Sequence, residues 1–235
     1  MSDGGSSVRP IVSVGSVRQR AADTQLVFID AELPTPLDPR LVLLAEPSTP
    51  RADAFRLARH RLEQRKDPRL VAVTSVATGD GKTTLAANLA LAIAEERGPS
   101  VLLVDAHRTR PALAEMFGLR TDLDLLPAAS SHRYALQRVA DTGLCVGLAL
   151  GQVVPISQAE RDALRVALTD LRLSFDYVII DAGAALDGML VHWIAELVDG
   201  VLFAVRRGVT ERRSLRRAID GLAPVPLAGA VVLDG

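Results

Sequence analysis

Residues 71–94 read VAVTSVATGDGKTTLAANLALAIA. An apolar, β-branched run runs into a short turn containing Gly79 and Gly81, and the turn runs directly into Lys82, Thr83 and a helix-forming stretch of Ala and Leu. The glycines permit backbone conformations and close approaches that a Cβ would block. The amides of such a turn, together with the N-terminus of the following helix, face an anion. In the pattern G-x-G-K-T the lysine ammonium reaches the β- and γ-phosphates and the threonine hydroxyl ligates Mg²⁺. The stretch therefore predicts a phosphate-binding loop in which Gly79, Asp80, Gly81, Lys82, Thr83 and Thr84 surround a nucleotide polyphosphate. The wider pattern G-x-x-x-x-G-K-[ST] asks for glycine at position 76. The chain has Val76 there, so the match is to the tighter core.

Working outward, short apolar runs alternate with longer helical patterns. Strands are predicted at 70–75, 101–105, 144–149, 177–181, 201–205 and 228–233, and helices at 53–65, 82–96, 111–117, 158–173, 187–197 and 211–221. Strands that are apolar throughout, separated by helices, imply a three-layer α/β fold with a mainly parallel sheet covered on both faces. Right-handed crossovers then gather the carboxyl ends of the strands along one edge, where ligands bind. Residues 1–50 differ from the rest: a Gly/Ser-rich opening is followed by Pro34, Pro36, Pro39, Pro47 and Pro50. They are expected to form a flexible tail and an extended arm, with only 26–29 and 41–44 apolar enough for strands, ahead of a nucleotide-binding domain over 51–235.

A phosphate loop needs an acid at the end of a neighbouring strand to hold the magnesium shell. FDYVIIDAG places Asp181 after a buried run, and VLLVDAH places Asp105 in the same situation. Either acid alone reads as a cap or turn residue. Two of them ending apolar strands beside this loop predict Thr83, Asp105 and Asp181 at the metal, with Lys82, Asp105 and Asp181 as the catalytic set.

Composition bounds the rest. Half the residues are hydrophobic (49%) but only 3% are aromatic, so the core is built from Ala, Leu and Val. A net charge of −1 gives no basis for bulk nucleic-acid binding, and none is expected. The single cysteine, Cys145, allows no internal disulfide and lies in an apolar run. No stretch is long and apolar enough to span a bilayer, and MSDGGSSVRP lacks the apolar middle of a signal peptide. The expectation is a cytoplasmic protein, brought to the inner face of a membrane only through a partner.

Several ordered segments together resemble the cytoplasmic domain of the bacterial tyrosine kinases of polysaccharide biosynthesis, within the Min/Par-like P-loop ATPases. They are PRADAFRLARHRL (50–62), TSVATGDGKTTLAANLA (74–90), VLLVDAHRTRPALAEMFGL (101–119), FDYVIIDAG (175–183) and LVDGVLFAVRRGVTERRSLRRAI (197–219). The second, third and fourth correspond to that family's Walker A, A′ and B motifs. Min and Par ATPases carry a lysine five residues before the loop lysine; here that position is Ala77, as in the tyrosine kinases. The resemblance implies ATP and Mg²⁺ as cofactors, a transmembrane polysaccharide co-polymerase-type activator as partner, and self-association through an E-x-x-R-x-x-R helix, which here reads Asp53, Arg56, Arg59.

Four departures qualify it. The second acid of the Asp-x-Asp in Walker A′ is His107, a poor ligand for a hard cation. The Thr-Pro-Pro after the Walker B acid is Ala182–Gly183–Ala184, which predicts a less rigid loop at the γ-phosphate. The tyrosine-rich tail is missing, leaving Tyr134 as the internal acceptor, because Tyr177 begins a core strand. The asparagine that reads adenine is Asp234, which accepts but cannot donate, so GTP stays open beside ATP. These departures favour hydrolysis over tyrosine phosphorylation and keep a non-catalytic, nucleotide-dependent scaffold as an alternative. A Par/Min-type positioning ATPase is a more distant one. The Arg206, Arg207, Arg212, Arg213, Arg216, Arg217 cluster is read first as a solvated face, with Thr210 as a helix cap.

Overall fold

The computed structural model describes residues 24–65, 69–96, 100–107, 112–125, 132–149 and 157–234. Of the tail and arm expected over 1–50, residues 1–23 lie outside them. The described residues build one sheet of eight strands: β1 (Gln25–Ala31), β2 (Leu70–Ser75), β3 (Val101–Asp105), β4 (Arg133–Val139), β5 (Leu144–Leu148), β6 (Tyr177–Ala184), β7 (Gly200–Arg206) and β8 (Leu227–Leu233), in the order β1-β4-β5-β3-β6-β2-β7-β8. From β5 to β8 every neighbouring pair is parallel. β2, β3 and β5 are buried at every position, as expected of strands covered on both faces. Helices α1 (Val42–Ala45), α2 (Pro50–Glu63), α3 (Lys82–Ala94), α4 (Ala112–Phe117), α5 (Gln158–Ser174), α6 (Leu190–Ala195) and α7 (Arg212–Gly221) complete the described elements. Two apolar clusters fill the space on the two faces. One joins α1, α2 and α3 to the sheet through Leu85, Leu89, Ile93 and Phe117, and the other joins α5 and α6 through Leu168, Leu171 and Ile194.

The ends of the sheet depart from the sequence expectation. β4 falls where no strand is predicted, yet it pairs antiparallel with β5 and parallel with β1. Its alternation is hidden because Gln137 points inward. The amide of that side chain is satisfied by the backbone of Arg120, accepting from its N–H at 2.8 Å and donating to its carbonyl at 2.9 Å. The 25–31 run joins the sheet as its outermost strand. The apolar 41–44 run, read as a strand, forms helix α1 instead.

That short helix has no cap of its own: Leu41 makes no side-chain cap bond. Its cap comes from α3. Asn88, fully buried, accepts from the Leu43 amide at 3.0 Å through Oδ1 and donates through Nδ2 to the carbonyls of Arg40 (2.7 Å) and Thr84 (2.8 Å). The one polar side chain in the apolar α3 run thus fastens the proline-rich segment to the helix that begins at Lys82. α2 lies on the same helix. Arg56 forks onto Glu95 at 2.7 and 2.8 Å, and Arg59 reaches Glu96 at 2.9 Å and the Ala92 carbonyl at 2.8 Å.

Candidate nucleotide and metal site

β2 delivers the chain to the sheet edge, where it turns through 76–81 into α3. Gly79 and Gly81 both take left-handed backbone conformations, φ 98° and 93°, which the loop requires and an L side chain resists. Gly81 also has the tip of the Leu233 side chain against it: a Cβ there would lie 2.5 Å from Leu233 Cδ1. Asp80 is buried and its carboxylate accepts from the Ala77 amide at 3.0 Å, so it closes the loop on itself. Gly79 is exposed, Thr83 and Thr84 are half-buried at the start of α3, and Lys82 is buried.

Opposite the start of α3 is the end of β6. Thr83 Oγ1 donates to Asp181 Oδ2 at 2.6 Å. Asp105 and Asp181 are register partners on neighbouring strands, and both are 1% exposed. Their environments differ. Asp105 accepts from the amides of His107 (2.9 Å) and Leu113 (3.1 Å), so both of its oxygens shape the connection after β3. Burial, aided by the nearby Asp181 charge, pushes its carboxyl up to about 7 against the pull of those amides and of Lys82. Asp181 is also raised, by burial first, opposed by Lys82, by the Thr83 hydroxyl and by His107. Asp181 Oδ1 is buried with no hydrogen-bond partner.

A buried, partnerless carboxylate oxygen beside a threonine hydroxyl and an ammonium is costly unless a cation or its water shell meets it. The oxygen donors of Thr83 and Asp181 fit a nucleotide-bound divalent ion. Among the described residues no three His, Cys, Asp or Glu side chains converge to hold a metal unaided. Such a site is completed by substrate phosphates and water.

The Ala182–Gly183–Ala184 segment, expected to be less rigid, is instead part of the sheet. β6 continues through it, Ala184 pairs with Ser75, and the Thr74 hydroxyl donates to the Gly183 carbonyl at 2.8 Å. Tyr134, expected as an internal acceptor, is 1% exposed, and its hydroxyl donates to Asp170 Oδ2 at 2.6 Å. A phenol held this way is not presented to a phosphate.

Other predicted residues fall nearby or further off. Asp234, just past β8, is exposed and ion-paired with Arg207 at 2.9 Å. Asp53, Arg56 and Arg59 lie on α2 away from the loop; Arg56 holds Asp53 at 2.9 Å and Glu95, so both arginines are engaged within the chain. In the basic cluster, Arg212, Arg213, Arg216 and Arg217 are exposed on α7. Glu211, not Thr210, occupies the cap position of that helix, and Thr210 Oγ1 accepts from the Arg206 amide at 2.8 Å.

Two loop contacts had no sequence signal. Arg206 Nη1 reaches the Gly79 carbonyl at 3.4 Å, and Thr78 Oγ1 donates to Asp187 Oδ2 at 2.9 Å. They tie the phosphate loop to the end of β7 and to the connection after β6, across 127 and 109 residues of chain.

A model of the CobQ/CobB/MinD/ParA nucleotide binding domain matches residues 71–233. The chain is 31% identical over 215 residues to the succinoglycan biosynthesis transport protein ExoP of Rhizobium meliloti, covering 87% of this chain but only 27% of that protein. It is 28% identical over 203 residues to the tyrosine-protein kinase YwqD of Bacillus subtilis, covering 82% of this chain and 84% of that one. The kinase domain of the Escherichia coli tyrosine kinase ETK superposes with a TM-score of 0.73 at 20% identity, covering 87% of this chain and 89% of that one. That likeness is one of fold.

Proposed function

From the premise that this chain belongs to the CobQ/CobB/MinD/ParA nucleotide-binding domain family, we propose that it is a Mg²⁺-dependent ATP-binding P-loop protein that hydrolyses ATP in the production or export of an extracellular polysaccharide. The observation that carries the nucleotide reading is the 2.6 Å contact between Thr83 and Asp181, with the second Asp181 oxygen buried and partnerless. It joins the first turn of α3 to the C-terminal half of β6 at the mouth of the loop. The polysaccharide setting rests on the ExoP likeness, and the phosphoryl-transfer setting on that to YwqD. A transmembrane co-polymerase-type activator goes with that setting, and self-association through the α2 face of Asp53, Arg56 and Arg59 rests on the motif resemblance alone. No described helix is long and apolar enough to cross a membrane.

The chain's own residues divide the work. The loop amides and the N-terminus of α3 cradle the phosphates, and Lys82 places a buried positive charge on them. Asp80, Thr78 and Arg206 keep the loop in shape. Thr83 and Asp181 hold Mg²⁺, which when bound neutralises phosphate charge. Asp105 fixes the segment carrying His107. Water is the acceptor this site favours. Tyr134 is buried, and Tyr177 begins β6, about 13 Å along the strand from Asp181.

The test incubates the protein with Mg²⁺ and γ-labelled ATP and follows free phosphate and protein-bound label. Free phosphate without bound label is expected, and it is abolished in Lys82→Ala. Label on a tyrosine would replace hydrolysis with autophosphorylation. Nucleotide binding without turnover would favour the scaffold reading, to which His107 points. Unchanged ATP affinity in Lys82→Ala would remove the site itself.

A further inference from the structure

Helix α7 is built against the local rules of helix stability. Arg212 and Arg213 open it, where the helix dipole is positive, and no acid lies in its first turn. Glu211, at the cap position, makes no side-chain cap bond. Arg212 and Arg216, and likewise Arg213 and Arg217, are like-charged pairs four residues apart, which repel along a helix. All four are exposed, and their spacing puts them on one face. Among the described residues only Arg216 of the four has an ion pair, with Asp220 at 3.9 Å. Between 206 and 220 six arginines stand against two acids, in a chain whose net charge is −1. A solvated face has no need of so one-sided a charge, and local costs of this kind mark a surface that serves something other than stability.

The other face of α7 fixes how the stripe is presented. Leu215, Ala218, Ile219 and Leu222 pack into the second apolar cluster, so the arginines face away from the sheet. Two exposed valines flank the helix: Val209, in the turn before it, is 60% exposed, and Val232, on β8, is 53% exposed. Val232 is the register partner of Val205, which packs in the same cluster as Leu215 and Ile219, so it stands on the α7 side of the sheet. A convex stripe of guanidinium groups with short apolar side chains beside it suits a flat anionic surface, where the cations meet phosphates and the apolar groups enter the headgroup layer. A helix face without walls offers an acidic peptide little to be buried against. We propose that α7 docks the chain directly on an anionic bilayer surface, with no partner required. The docked face begins beside the phosphate loop, because Arg206, at the end of β7, reaches the Gly79 carbonyl. The proposal goes beyond the nucleotide reading and does not depend on it.

The experiment sediments the whole chain with vesicles of mixed phosphatidylglycerol and phosphatidylcholine, and with vesicles of phosphatidylcholine alone. Binding is expected to the anionic vesicles only, and to be lost as salt rises from about 0.1 M to about 0.5 M. Arg212→Gln with Arg213→Gln, and Arg216→Gln with Arg217→Gln, are each expected to weaken it by about twenty-five-fold, about fivefold per arginine, with the native melting transition kept. Hydrogen exchange of the wild type on anionic vesicles is expected to slow over 206–217, which locates the surface without any substitution. No binding to anionic vesicles, equal binding to neutral ones, unchanged binding in both folded variants, or protection confined to other segments each overturns the proposal. Binding of polyglutamate in solution without binding of vesicles assigns the stripe to an acidic polypeptide instead.

Discussion

Replacing Asn88 with alanine tests how the proline-rich segment is held to the phosphate-loop helix. The substitution removes three hydrogen bonds, but their losses are unequal. The Thr84 carbonyl keeps its helical partner, so that loss costs little. The Leu43 amide is one of the first-turn donors of α1, which has no local cap, and the Arg40 carbonyl lies on the approach to the same helix. The Leu43 amide is left buried and unpaired at about 1–3 kcal/mol, and the partly buried Arg40 carbonyl adds at most as much again, giving roughly 2–6 kcal/mol together. That is a large part of the ordinary stability of a domain, about 5–15 kcal/mol. With a urea dependence of about 2 kcal/mol per molar, the midpoint should fall by about 1–3 M. Urea unfolding gives the total, and amide exchange at Leu43 reports whether the segment detaches first. Asn88→Asp should be no better, because it keeps an acceptor for Leu43 but turns a second oxygen toward the Arg40 carbonyl. A loss below about 1 kcal/mol, with the Leu43 amide still protected, would refute the trans-capping account.

Gly81→Ala should destabilise by about 1–2 kcal/mol through its φ of 93°, lowering Tm by about 2–4 °C per kcal/mol. Adding Leu233→Ala should not restore it, and full rescue would show that crowding, not backbone conformation, was the cause. Tyr134→Phe should cost about 1–3 kcal/mol by leaving Asp170 one donor short. Mass spectrometry of the folded wild type after incubation with Mg²⁺ and ATP should find no phosphate at Tyr134. Burial pushes the Cys145 thiol up to about 12, so its contribution to stability is complete below about 9 and is lost as pH rises through about 12. At pH 8 thiol reagents should label the native protein only as fast as it opens, and immediate stoichiometric labelling would contradict the buried placement.

The centre of the sheet was legible because each of its strands is apolar throughout and each site residue sits where an apolar run stops. Lys82, Thr83 and Asp181 follow from that pattern together with the loop glycines, and the structure joins Thr83 to Asp181. The outer strands were not legible for a local reason. In β4 the inward Gln137 breaks the alternation, and its partner is backbone 17 residues away. Helix α1 is four residues long and borrows its cap from a residue 45 positions on, so no local signal separates it from a strand. The same distance hides the Arg206 and Asp187 contacts to the loop. The sequence pointed to Tyr134 as the reachable tyrosine, and its burial overturned that, because nothing local reveals the contact with Asp170.

The hairpin between β4 and β5 reverses the direction of travel for the last two strands on that side. β1 therefore starts, at Thr24 and Gln25, at the pole of the molecule where the strands on the other side finish. Thr24 therefore lies on the phosphate-facing pole, with β4, β5, β3 and β6 between its strand and β2, the strand that leads to Lys82. The outermost strand and the phosphate loop thus share one rim of the sheet, although the chain enters the fold at one edge and binds its phosphates near the other.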